Sequence, residues 1–140
     1  DFHFTSFDSM GYKFYTNLVF VKREYLTANR STVVGFLRAV TRGWIEDLKD
    51  PAVAAKLCVT KYGADLGLDL KQQTRQNELQ YAMLKSPTKP DLPLLTLDKD
   101  AIAGPMFAAA KASGRENIPP VDKLCDFSVM QEVHASIKKS

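Results

Sequence analysis

Residues 7–51 read FDSMGYKFYTNLVFVKREYLTANRSTVVGFLRAVTRGWIEDLKDP, and the pattern within them sets the expected fold. A polar, aromatic-rich turn comes first, then a short apolar run, then an amphipathic helix closed by Asp50-Pro51. Leu18-Val19-Phe20-Val21 is continuously apolar, which suits a strand buried on both faces. Val33, Phe36, Leu37, Val40, Trp44 and Leu48 recur at steps of three and four and form one apolar stripe. Arg38, Arg42, Glu46 and Lys49 lie largely off that stripe, and Asn29 or Ser31 can cap the helix start.

Upstream, Phe2 and Phe4 alternate with polar residues, a period of two that reads as a further strand and can extend to Phe7. The pattern is already running at the first residue, so we expect a chain cut from something longer. Downstream the reading is helical. Asp50 caps a second helix with Pro51 at its first position, where a missing N–H costs nothing. Val53, Ala54, Leu57 and Cys58 form its inner face, and Gly63 is the expected left-handed stop. Asp69 caps a third helix from Leu70 to about Lys85, polar through Gln72, Gln73, Gln76, Asn77 and Gln80 and stopped by Ser86-Pro87. Asp98 caps a fourth through Ala112, in which Gly104-Pro105 demands a kink or a break. The last helix is capped by Asp126, with Phe127, Met130, His134 and Ile137 at helical spacing.

The totals exclude several classes. One hundred and forty residues suit one domain. A net charge of +3 is spread among interleaved acids and bases, with no block of like charges that would mark a nucleic-acid partner. No apolar run approaches the roughly 18 residues of a membrane span. Cys58 and Cys125 are far apart and lack a CxxC partner, which argues against a zinc site. Their apolar neighbours favour buried free thiols, and a single disulfide would fit an oxidising compartment.

Chemistry has few candidates. Of the two histidines, His3 lies in the first alternating segment and His134 on an apolar helix face, where a satisfied structural role is the commoner one. No HExxH, GxSxG, P-loop or GxGxxG arrangement occurs. We therefore expect no catalytic residue, no metal ligand and no cofactor. The turn differs, because Asp8, Ser9, Gly11, Tyr12, Phe14, Tyr15, Thr16 and Asn17 fall within ten residues. Aromatic faces stack on planar ligands, polar side chains orient them, and glycine admits a ligand close to the backbone. A rigid loop whose aromatics fill the core fits the same composition. Trp44 lies on the helix stripe and reads as packing, while Arg38 and Arg42 read as a solvated face.

The order of motifs resembles the solute-binding proteins of ABC importers. The branch is that of receptors for taurine, aliphatic sulfonates, nitrate, riboflavin and thiamine pyrimidine precursors. The resemblance rests on Gly11-Tyr12, Leu18 to Val21, Glu24-Tyr25-Leu26, Asn29-Arg30, Phe36-Leu37-Arg38-Ala39, Gly43-Trp44 and Asp50-Pro51, in register from about Asp8 to Lys61. Arg30 departs from the proline usual there. The resemblance implies an α/β fold of the type II periplasmic-binding class, this segment being helix-rich with one or two strands. It implies the C-terminal half of a two-lobed clamp, with residues 1–17 as hinge and cleft turn and residues 18–140 covering one lobe.

The implied partners are a small-molecule ligand, the N-terminal half of the fold as the opposite wall, and a membrane permease. The implied location is periplasmic or extracellular, membrane-associated through a lipid anchor or the permease. The implied site is Asp8, Ser9, Gly11, Tyr12, Phe14, Tyr15 and Asn17. The superfamily also holds a fungal thiamine-pyrimidine synthase with a cysteine-rich motif before the corresponding strand. Here Gly11 to Thr16 contains no cysteine, which favours a receptor over an enzyme acting on a small heterocycle.

Overall fold

A computed structural model describes residues 2–12, 14, 15, 17–86 and 89–138, with Ala82 described by its backbone alone. Thr16 and the stop expected at Pro87 therefore lie outside the described residues.

Among the described residues eight α-helices run in the order α1 (Arg23–Ala28), α2 (Arg30–Asp47), α3 (Pro51–Leu57), α4 (Leu70–Gln80), α5 (Lys99–Ala101), α6 (Phe107–Ala112), α7 (Val121–Leu124) and α8 (Ser128–Ile137). Among the described residues there is no strand, which overturns the α/β expectation. The reason is physical. A strand exists only through hydrogen bonds to a neighbour, and neither Phe2 to Phe7 nor Leu18 to Val21 meets one in the described chain. Neither segment forms regular structure apart from the turn that Phe7 enters, and Phe20 is 91% exposed where a strand buried on both faces was expected.

Two helix pairs organise the rest. In the first, α2 packs along α8, with Val33 and Thr41 buried on one helix and Val129 and Val133 on the other. The Thr41 hydroxyl is satisfied within its own helix, donating to the Leu37 carbonyl at 2.8 Å. The buried face of α8 centres on Val129 and Val133, one residue away from the expected Phe127, Met130, His134 and Ile137 stripe, of which Phe127, Met130, His134 and Ile137 are half-buried. Phe36, expected on the inner stripe of α2, is exposed.

In the second pair α3 packs on α4. The first pair is joined to the second at Asp47, in the last turn of α2. Asn77 Nδ2 donates to the Asp47 carboxylate at 2.9 Å, and the Tyr81 hydroxyl donates to the Asp47 carbonyl. Burial, then the charge of Asp47, raises the Tyr81 hydroxyl above its ordinary pKa.

Local signals fix the helix ends. Asp50 accepts from the Ala52 amide at 3.0 Å with Pro51 in the first helical position. Asp69 accepts from the Gln72 amide at 2.7 Å. The break expected at Gly104-Pro105 is a π turn, Ile102–Met106, between α5 and α6, and the wider turn accommodates the missing proline N–H. Gly63 is not left-handed, since that conformation falls to Gly67 at φ +62°. Gly63 is needed for another reason. A Cβ there would stand 2.9 Å from the Cys58 carbonyl oxygen. Cys58 and Cys125 are free thiols, half-buried rather than buried.

Arg30 has a structural role that spacing could not reveal. Its guanidinium donates to Glu132 at 2.8 Å, to Ser128 Oγ at 2.7 Å and to Asp126 at 3.3 Å, binding the start of α2 to the start of α8. Asp126 in turn accepts from the hydroxyl of Ser128 at 2.6 Å and from its amide at 2.9 Å. The Ser128 hydroxyl first, then its amide and Arg30, hold the Asp126 carboxyl below its usual pKa against a smaller burial effect. A depressed folded pKa stabilises above the unfolded value of about 3.9 and loses that contribution as pH falls through the folded value. Thermal midpoints should therefore decline below about pH 4, and Asp126→Asn should flatten part of that acid limb.

The chain is far from fully covered. Its accessible surface is 10,726 Å², against about 7,200 Å² for a compact monomer of its mass. The buried apolar core among the described residues is correspondingly small: Val33, Ala55, Ile102, Val121, Val129 and Val133. Among the described residues no helix is long and apolar enough to cross a membrane.

Candidate functional site

The turn at residues 7–11 is built by its own backbone. Phe7 O accepts from the amides of Met10 at 3.2 Å and Tyr12 at 2.9 Å, and Asp8 O accepts from the Gly11 amide at 3.0 Å. Closing that loop requires Gly11 at φ +82°, a conformation costly for residues with a Cβ. Ser6 and Ser9 brace the entry, the Ser9 amide donating to Ser6 Oγ at 3.1 Å and the Ser9 hydroxyl to Ser6 O at 2.7 Å. Asp8 and Ser9, expected as polar ligand contacts, thus also shape the turn. Both remain exposed, as does Asn17 at a bend further on.

The turn gathers three rings. Tyr12 and Phe14 lie 5.1 Å apart between centroids with planes at 53°. Phe7 stands 6.2 Å from each, at 71° to Tyr12 and 56° to Phe14. Phe7 was missed in the sequence, where its alternation with Phe2 and Phe4 read as strand. Tilted rings in direct contact suit the aromatic quadrupole. They leave no slot of the roughly 7 Å that a flat ligand needs between two parallel faces. A ligand can stack only on an outer face, and outer face is plentiful: Tyr12 and Phe14 are each 45% exposed. The cluster is not core filling.

Tyr15 stands apart from the three. It is half-buried, and its hydroxyl accepts from the Asp98 amide at 3.0 Å, 83 residues away. Asp98 is itself buried and is the cap of α5. Its carboxylate accepts from the amides of Asp100 at 3.0 Å and Ala101 at 3.3 Å, from Ser86 Oγ at 3.1 Å, and faces Lys89 Nζ at 3.3 Å. Hydrogen bonds to Asp100, then to Asp98, raise the Lys89 pKa. The structure thus gives Tyr15 an anchoring contact that the expected lining role did not include.

Over residues 1–54 the chain matches the family model described as NMT1/THI5 like. The matched residues hold the aromatic turn, the apolar run Leu18 to Val21, α1, α2 and the Asp50-Pro51 cap. That family includes ABC solute-binding proteins and thiamine synthase relatives. No curated protein and no solved structure matches the chain.

Other candidates recede on geometry. His134 Nε2 lies 3.3 Å from Thr96 Oγ1, a structural pairing. Trp44 is half-buried along α2, and Arg38 and Arg42 are exposed. Among the described residues no three His, Cys, Asp or Glu side chains are grouped to hold a metal ion.

Proposed function

We propose that the chain is one side of a clamp that captures a small solute without altering it, as the binding component of an ABC importer. The observation that carries this reading is the exposed three-ring cluster of Phe7, Tyr12 and Phe14 on a turn closed by its own backbone hydrogen bonds. The match of residues 1–54 to a family that includes such receptors supports the same reading.

In this account the outer faces of Tyr12 and Phe14 take the flat or apolar part of the solute. Asp8, Ser9 and Asn17 offer polar contacts, Gly11 admits it near the backbone, and Tyr15 holds the turn in place. One open face is half a site. The other wall comes from an N-terminal half of the same fold, which also covers Phe2, Phe4, Phe20 and their apolar neighbours. The uncovered surface, about 3,500 Å² beyond that of a compact monomer, is enough for such an interface. Closure of the two walls would exclude water and strengthen the polar contacts. A membrane permease would then read the closed shape. Such a receptor works in the periplasm or outside the cell, held at the membrane by a lipid anchor or by the permease.

A second reading is an enzyme acting on a small heterocycle, since the matched family also includes thiamine synthase relatives. Incubation with taurine, riboflavin or the thiamine pyrimidine precursor, followed by mass spectrometry of the released small molecule, separates the two. A receptor returns the bound compound at unchanged mass. A time-dependent product would overturn the receptor reading.

A further inference from the structure

Between α3 and α4 lies a crevice of about 130 Å³ that the aromatic turn does not touch. Four carboxamides line it, those of Gln73, Gln76, Asn77 and Gln80, together with Ala54, Ala55 and the half-buried thiol of Cys58. No charged side chain lines it. Cys58 also opens the π turn Cys58–Tyr62, a backbone irregularity that recurs at functional sites.

One of the four amides is held in place and the other three are uncommitted. Asn77 spends its Nδ2 on Asp47 Oδ1 at 2.9 Å and on the Pro51 carbonyl at 3.1 Å, which fixes the group and leaves its carbonyl oxygen for another donor. Among the described residues, nothing engages the side chains of Gln73, Gln76 or Gln80. The crevice therefore offers several donors and acceptors of one chemical kind side by side.

That chemistry selects its occupant. An ion would give up hydration with no counter-charge to meet it. A wholly apolar guest would leave the amides without partners. We propose that this crevice is a binding site for a small neutral molecule carrying a carboxamide or ureido group. Its donor and acceptor pair with the glutamines, and its carbon tail lies against Ala54, Ala55 and Cys58. The site is independent of the solute-capture reading.

The test is a titration of the full chain with propionamide, read by NMR on the side-chain amide signals of Gln73, Gln76 and Gln80. Propionate and propylammonium serve as charged molecules of similar size. Propionamide should give saturable shifts in the millimolar range, with the charged pair roughly tenfold weaker. Gln76→Leu, a change at an exposed position that should leave folding intact, should weaken the propionamide response by at least about fivefold. Linear, non-saturating shifts, equal responses to all three compounds, or an unchanged response in Gln76→Leu would mean a hydrated crevice only and would overturn the site.

Discussion

Val133→Asp is expected to abolish cooperative folding, and Val133→Ala to lower stability by about 2–3 kcal/mol. Val133 is fully buried where α8 packs along α2. Truncation to alanine removes two methyl groups at about 0.8 kcal/mol each and leaves a cavity between α2 and α8 that the helices close only in part. An aspartate there would be an unpaired buried charge. The effect is large because the core is small: few other buried apolar side chains share the load. Urea denaturation monitored through Trp44 fluorescence reads both changes. A loss below about 0.5 kcal/mol for Val133→Ala would mean that α2 and α8 do not form the central pair.

Asp98→Ala should cost about 2–4 kcal/mol, the second large effect. The substitution removes the cap of α5 and takes an acceptor from the buried Ser86 hydroxyl and a charge from Lys89. The loop before α5 also contains Leu95 in the left-handed region at φ +59°. A strained residue of that kind persists only where its surroundings over-determine it, and Asp98 lies further along the same segment. Tyr15→Phe, which removes only the hydroxyl that accepts from the Asp98 amide, should cost no more than about 0.5–1.5 kcal/mol. Equal losses for the two variants would place the weight on the tyrosine and not on the cap.

The parts of the fold that were legible before the structure are those decided within a few residues. Asp50, Asp69 and Asp98 cap where expected because a carboxylate bonding to the next turn's amides needs no distant partner. The break at Gly104-Pro105 is legible for the same reason. The illegible parts depend on what lies across space. Leu18 to Val21 has a strand's composition, yet pairing requires a neighbour that the described chain does not supply. Phe36 obeys the helical period of α2 but is exposed, since the period gives a stripe without saying where its centre falls. Arg30 reaches partners 96 to 102 residues away, beyond any spacing rule.

In the candidate site, the turn was legible through its Asp-Ser-Met-Gly chemistry and its density of aromatics. The company of Phe7 was not, because alternation with Phe2 and Phe4 carried it into a strand that does not form. The tie from Tyr15 to Asp98 spans 83 residues and could be seen only once the chain was folded.

The central claim is that the exposed rings exist to hold a solute and not to hold the fold together. Its most direct measurement pairs calorimetric binding of the thiamine pyrimidine precursor, riboflavin and taurine with the thermal midpoint, in the native chain and in Tyr12→Ala, each joined to the facing half of the clamp. The account predicts at least a tenfold loss of affinity, about 1.4 kcal/mol, for whichever compound binds, with the midpoint shifted by less than about 2 °C. Unchanged affinity, or a fall in midpoint that matches the loss of binding, would contradict it.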